Sequence, residues 1–275
     1  IVPQIFGEKV EPLDLKGFYG AALSLAFLVF AAANLGAPHI NALATSLLVF
    51  LGVGIGLPTI RRFKRIAHPL IDLSVLKIQT FHLNSTSGLL FRVAQNTAPF
   101  VLPLLFQDKF GWSAQRAGEV LFFYMVGNLG FKVFTTPLMK RFRFKPLLLL
   151  TTLLSLPLTL LLGVLRSPPP LIWIATLLVI TGGVRSIGMT LYNTITFADT
   201  DQETISHANT LSNMVQQLSS VIAVATAVIA INVGRILVGV HNQFIFSFSF
   251  ALLALLISLR GVLALSKDAG QSLRK

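Results

Sequence analysis

Long apolar runs separated by short polar or proline-rich clusters recur eight times along the chain. They predict helical spans at approximately 17–35, 40–60, 83–106, 117–138, 146–165, 170–197, 206–232 and 241–265. A helix rises 1.5 Å per residue, so about 20 apolar residues cross a hydrocarbon core of about 30 Å. The runs are continuously apolar and lack the period-two alternation of a barrel strand, so helical spans are expected rather than a transmembrane β-barrel. Turn chemistry marks the breaks: Gly36-Ala37-Pro38 after the first span, Gly111-Trp112-Ser113 after the third, and Ser167-Pro168-Pro169-Pro170 before the sixth. The fold expected is an all-α integral membrane protein with eight transmembrane helices.

Composition narrows the class further. Apolar residues make up 54% of the 275 and charged residues 12%, half the roughly 25% charge of a soluble domain. Cysteine is absent, which excludes a disulfide framework and thiolate chemistry within this chain. The net charge of +12 is no sign of nucleic-acid binding, because the cations flank the spans. Of the 22 Lys and Arg residues, 15 fall on one side of the predicted membrane. Lys109, Arg116, Arg166 and Arg235 fall on the other, and Arg92, Lys132 and Arg185 lie inside spans. The positive-inside rule then places the 61–82 linker and both termini in the cytoplasm, in agreement with an even number of spans. Within the linker, Pro69–Lys77 reads as a short amphipathic helix on the membrane surface. The opening residues lack the basic and apolar regions of a signal peptide. Because the first residue is Ile1, the chain is expected to be a piece of a longer polypeptide.

Several enzyme-like patterns carry no chemistry. No strand precedes Gly52-Val53-Gly54-Ile55-Gly56, so Gly52 and Gly56 read as a helix-packing face rather than a dinucleotide loop. Ser74 and Lys77 lack every companion of a serine hydrolase site. The five histidines are scattered beside loops at no ligand spacing, so neither a metal nor another cofactor is expected.

The informative residues are polar ones inside spans. Arg92 lies near mid-membrane, where an arginine costs about 2.5–3.5 kcal/mol on insertion scales. Gln95, Asn96 and Pro99 follow it at helical spacing. Pro99 and Pro103 together imply a bent helix with freed carbonyls that need partners. In the fourth span Tyr124, Asn128 and Lys132 recur every four residues. Lys132 is read either as part of this face or as a snorkelling lysine. Arg185, Met189 and Asn193 share a face of the sixth span, and Asn209, Asn213, Gln216, Gln217 and Ser220 form a stripe on the seventh. Such stripes also arise from helix–helix hydrogen bonding. Their presence on four helices favours one wet cavity lined by Arg92, Gln95, Asn96, Asn128, Lys132, Arg185, Asn193, Asn213 and Gln217. The inner cations outnumber the single inner acid, Glu119. They therefore either attract an anionic group or pair with carboxylates on helices outside the chain. The second, fifth and eighth spans look peripheral.

Four patches resemble the major facilitator superfamily in its fourteen-span drug:proton antiporter branch (EmrB/QacA type). Gln107–Gly118 resembles its outer loop with Gly-Trp-Ser and Ala-Gly at the end. Pro137–Lys145 is similar to a degraded form of its basic cytoplasmic loop. Ser206–Leu218 resembles the opening of its eleventh helix, and Arg61–Phe81 the segment leading into its seventh. The resemblance implies that residues 1–60 hold a cytoplasmic lead and two extra central helices, and that 61–82 form a cytoplasmic linker. Residues 83–275 would form the C-terminal six-helix bundle, with the N-terminal six-helix half outside this chain. It also implies a secondary active transporter in the inner membrane, not an enzyme, exporting drugs or other small molecules by alternating access, with protons as the coupling ion. Lys140, Arg141, Arg143 and Lys145 would belong to a cytoplasmic gate, through contacts to neighbouring helix ends. Two alternatives stay open: a complete eight-span channel or dimeric half-transporter, and a non-transporting membrane scaffold or sensor.

Overall fold

A computed structural model describes residues 14–35, 41–66, 73–201, 204–239, 242–266 and 269–270. The expected turn at Gly36-Ala37-Pro38, the Pro69–Asp72 start of the surface helix and both chain ends lie outside them.

Eight helical segments long and apolar enough to cross a membrane are present among the described residues. The first two are α1 (Leu15–Leu35) and α2 (Ala42–Phe63). A short 3₁₀ turn, Leu73–Lys77, leads into a third span built from α3 (Gln79–Leu83), a π turn (Asn84–Gly88), α4 (Leu89–Leu104) and a second π turn (Leu105–Lys109). The fourth span is α5 (Ala114–Gly130) followed by α6 (Lys132–Arg141). The remaining four are α7 (Phe144–Gly163), α8 (Leu171–Ile195), α9 (Ile205–Val238) and α10 (Phe244–Ala264). The chain is thus an all-α, multi-pass integral membrane protein.

Local chemistry sets the helix ends. Gly111 takes a left-handed φ of 66°, and its N–H and that of Trp112 return to the carbonyls of Gln107 and Phe106. A Cβ resists this conformation, so the third span stops here. Two residues on, the Ser113 hydroxyl accepts from the Arg116 N–H at 3.2 Å and caps α5. Asp14 plays the same part for α1, accepting from Gly17 N–H at 2.9 Å, and also pairs with Arg62 at 3.0 Å. That ion pair ties the start of α1 to the end of α2.

Small residues let helices approach where a packed bundle needs them to. The Ser24 hydroxyl donates to the Gly52 carbonyl at 2.7 Å, and Gly56 faces the same serine, so both glycines form the α1–α2 contact that their spacing predicts. At the α5–α8 crossing, a Cβ on Gly127 would fall on the Val179 carbonyl and one on Gly182 on the Tyr124 carbonyl. The α1–α2 pair leans on α9, while α4 packs between α9 and α10 and the α3–α4 span is the most buried of the eight.

Two features differ from the sequence expectation. The fourth span is interrupted at Phe131, where α5 ends and α6 begins. The fifth and eighth spans are not simply peripheral: α10 packs against α4, α7 and α9. Its Ser247, Ala251, Ala254 and Ser258 are buried, as are Thr151, Thr152 and Ser155 of α7. Each helix keeps a leucine-rich face outward, and the small and hydroxyl residues threaded through the apolar run form a second, inward face. The α2 helix is the outer element expected, the least buried of the eight.

Candidate functional site

The polar stripes of α4, α8 and α9 meet Asn128 of α5 and Lys132 of α6 around one cavity of about 350 Å³. Its lining comprises Arg92, Asn96, Asn128, Lys132, Arg185, Ser186, Met189, Thr190, Asn193, Gln216, Gln217, Ser219 and Ser220. Helical periodicity explains which residues arrive. Arg92 and Asn96 are four apart and share a face of α4, whereas Gln95 is turned about 100° away from Asn96.

Seven of the nine residues expected to line a cavity therefore come together, and two do not. Gln95 is buried on the other side of α4 and donates to the Ser155 hydroxyl of α7 at 2.7 Å. Asn213 sits on the stripe of Gln217 but one turn away, about 6 Å along the helix, and is exposed. Six lining residues were not among the nine: Met189, Gln216 and Ser220 lie on stripes read from the sequence, whereas Ser186, Thr190 and Ser219 were not singled out. Helical hydroxyls usually bond back to their own helix, as Thr190 does to the Ser186 carbonyl at 2.9 Å and Ser219 to that of Gln216 at 2.6 Å, which makes their sequence signal weak. Their offsets from Arg185 and Gln216 are the only clue that they face the same way.

Two arginine–asparagine pairs organise the site. The Arg92 Nη2 donates to Asn193 Oδ1 at 2.7 Å, linking α4 to α8. The Arg185 Nη2 donates to Asn96 Oδ1 at 2.9 Å, linking the same helices in the opposite sense. Asn96 in turn donates to the Ser220 hydroxyl of α9 at 3.2 Å. Each guanidinium also lies 6.0 Å from a tyrosine ring centroid, Arg92 by Tyr192 and Arg185 by Tyr124, near the outer limit of a cation–π contact. Gly88 makes the room: a Cβ there would sit 2.9 Å from both Arg92 Nη1 and the Tyr192 ring. The Tyr192 hydroxyl is bonded to Ser258 of α10 at 3.1 Å, and Ser258 donates to the Ser87 carbonyl in the π turn at 2.9 Å.

The proline kink has a partner too. Pro99 has no N–H, so the Gln95 carbonyl loses its helical donor. The hydroxyl of Tyr124, fully buried, reaches that carbonyl at 3.4 Å. Tyr124 thus supports the wall of the cavity without lining it.

Charge in the site is one-sided. Arg92 is 2% exposed, Arg185 is half-buried and Lys132 is exposed. Neither arginine meets a carboxylate among the described residues. The Arg92 Nε and Nη1 and the Arg185 Nε are buried without an acceptor there. The arrangement can orient and hold a polar or anionic group, and no acid is among the described residues that line it.

At the α6–α7 turn, Lys145 donates to the carbonyls of Leu263 at 2.8 Å and Leu265 at 2.5 Å. A cation on the last carbonyls of α10 complements the negative end of that helix. Arg141 lies over the Phe142 ring at 5.9 Å. Lys140 and Arg143 flank the same turn.

Comparison with known proteins adds three observations. Residues 58–224, more than half of the chain, match the family model described as Major Facilitator Superfamily. A probable transport protein of Haemophilus influenzae, HsrA, is 26% identical over 271 residues, covering 97% of this chain and 58% of that protein. Putative multidrug resistance proteins named MdtD are 28% identical over 242 residues in Pectobacterium atrosepticum (86% of this chain, 49% of that protein) and 29% over 267 in Serratia proteamaculans (91% and 54%). The chain spans about half the length of these curated relatives.

Proposed function

The chain belongs to the Major Facilitator Superfamily, and on that premise we propose that it is the C-terminal half of a secondary transporter in a bacterial inner membrane. The branch proposed is the fourteen-span drug:proton antiporters. Residues 1–60 then carry the lead and two extra central helices, 61–82 the cytoplasmic linker, and 83–275 the six-helix bundle. Both ends of the chain face the cytoplasm. An N-terminal six-helix half completes the cavity, and the two halves rock around it to give alternating access. The transported species is a drug or other small molecule, exported in exchange for protons. Because the cavity of this half holds no carboxylate among the described residues, the proton carrier belongs to the N-terminal half.

The observation that carries this reading is the cavity itself: polar side chains from α4, α5, α6, α8 and α9, all on membrane-spanning segments, converge on one space. An inert scaffold has no need of two arginines within its spans, one buried and one half-buried, each costly to insert. Arg92, Asn96, Asn128, Lys132, Arg185, Asn193 and Gln217 serve as the binding wall. Gln95 braces that wall from behind, and Asn213 lies at its edge. Lys140, Arg141, Arg143 and Lys145 form the cytoplasmic gate, which Lys145 latches to the end of α10.

The test is flux in proteoliposomes, with fluorescent drugs outside and a pH-sensitive dye inside. The full-length protein should move substrate together with protons, and the isolated 275-residue chain should insert but move neither. Flux by the isolated chain would refute the half-transporter reading, and substrate flux without proton movement would refute the coupling.

A further inference from the structure

We propose that the cavity takes a small organic oxyanion, of the carboxylate class, gripped between Arg92 and Arg185. The inference rests on the transport reading of the cavity and adds its chemical selectivity.

Three cations, Arg92, Lys132 and Arg185, line the cavity with no acid among the lining residues. The acceptor that each arginine meets is an amide oxygen, Asn193 for Arg92 and Asn96 for Arg185. An amide orients a guanidinium without neutralising it, so the positive charge stays available. A carboxylate in either place would cancel it. Each asparagine also occupies only one Nη2. The Arg92 Nε and Nη1 and the Arg185 Nε are buried and have no acceptor among the described residues. A planar anion accepts from two such N–H groups at once, and charge-assisted bonds of this kind are about twice as strong as neutral ones.

Arg92 is fixed in place before any group enters the cavity. That residue is only 2% exposed, held at the cavity wall by Asn193, Tyr192 and the gap over Gly88. Arg92 and Arg185 both line the cavity, so a group that enters it lies beside both guanidinium groups. Low dielectric strengthens the attraction for an entering anion and penalises an entering cation. Lys132, exposed at the edge, adds to the pull without demanding planar geometry.

The probe is a matched set with one ring system: 2-naphthoate, its methyl ester, and 2-naphthylmethylammonium. Binding is measured by calorimetry on the full-length protein in nanodiscs of phosphatidylcholine alone, which excludes an anionic lipid headgroup as competitor. Naphthoate should bind at least tenfold tighter than the ester or the ammonium. Arg92→Gln and Arg185→Gln should each reduce that preference at least tenfold, and Arg185→Lys should retain part of it. Arg92→Lys keeps the buried charge and serves where Arg92→Gln does not yield monodisperse protein. Equal or reversed preference, no binding of any member, or a preference unchanged in both glutamine variants would overturn the proposal. Flux assays on the same preparations separate it from the reading beneath. Flux with no charge preference overturns the anion site and leaves the transporter. Anion-selective binding without flux of any member overturns the transporter and leaves the anion site.

Discussion

Asn193→Leu removes the amide oxygen that holds Arg92 at 2.7 Å. The guanidinium is buried, and two of its nitrogens already lack an acceptor, so a third donor group loses its protein acceptor. A hydrogen bond to a charged group contributes about 1.5–3 kcal/mol. Cavity water reaches part of the cost, which puts the expected loss near the lower end, about 1.5–2 kcal/mol. Arg92→Met alone should cost less, about 1 kcal/mol or under, because the stranded partner is then a neutral amide beside a polar cavity. The double variant Arg92→Met/Asn193→Leu removes both partners and should lie within about 1 kcal/mol of the parent, since a buried polar pair replaced by apolar groups is often nearly neutral. The two changes are therefore non-additive, with a coupling of about 1.5 kcal/mol, roughly a tenfold change in the unfolding equilibrium. Equilibrium unfolding of the full-length protein in mixed micelles, titrated with dodecyl sulfate, measures all four corners of the cycle. A coupling below about 0.5 kcal/mol, the usual limit of additivity for independent sites, would show that the contact carries no energy. It would also show that Arg92 is held by something other than Asn193. The double variant has a second use: it should be well folded and yet lose preference for an anionic probe.

Three further outcomes follow from the packing. Gly182→Ala places a methyl against the Tyr124 carbonyl at the α5–α8 crossing and should lower stability by about 2 kcal/mol or more, the range of overpacked cores, in the same unfolding assay; Gly118→Ala, which meets nothing nearby, should not. Tyr124→Phe should cost about 1 kcal/mol in the parent and close to nothing when combined with Pro99→Ala, because the alanine N–H returns the helical donor to the Gln95 carbonyl; equal losses in both backgrounds would break the link between the kink and Tyr124. Single cysteines in this cysteine-free chain should react with an impermeant maleimide from outside the cell at Gly111 and Pro169 and not within 140–145, and the reverse pattern would invert the orientation.

The membrane class, the eight spans and the candidate polar residues were legible in the chain because each is a local property. A run of leucine, valine and phenylalanine long enough to cross hydrocarbon has one stable fate, a helix, since every backbone N–H and C=O must find its partner within the segment. The glycines of α2 announced a close contact, and Gly111 and Ser113 a turn, for reasons contained within a few residues. Periodicity also put Arg92 with Asn96, four residues on, and Arg185 with Asn193, two such steps on through Met189, since four residues return a side chain to nearly the same face. What periodicity could not assign was the neighbour. Gln95 looked as polar as Asn96, yet it faces Ser155 on α7; only the azimuth of α4 in the bundle decides which of two adjacent amides reaches the cavity. The crossed pairing of Arg92 with Asn193 and of Arg185 with Asn96 likewise depends on the register of α4 against α8, set by packing rather than by either helix alone. The break at Phe131 and the inward faces of α7 and α10 belong to the same category. A leucine-rich helix is equally content against lipid or protein, because lipid tails are as apolar as leucine. Its hydropathy therefore places it in the membrane, and only the fit of its serines, threonines and alanines against other helices places it in the bundle.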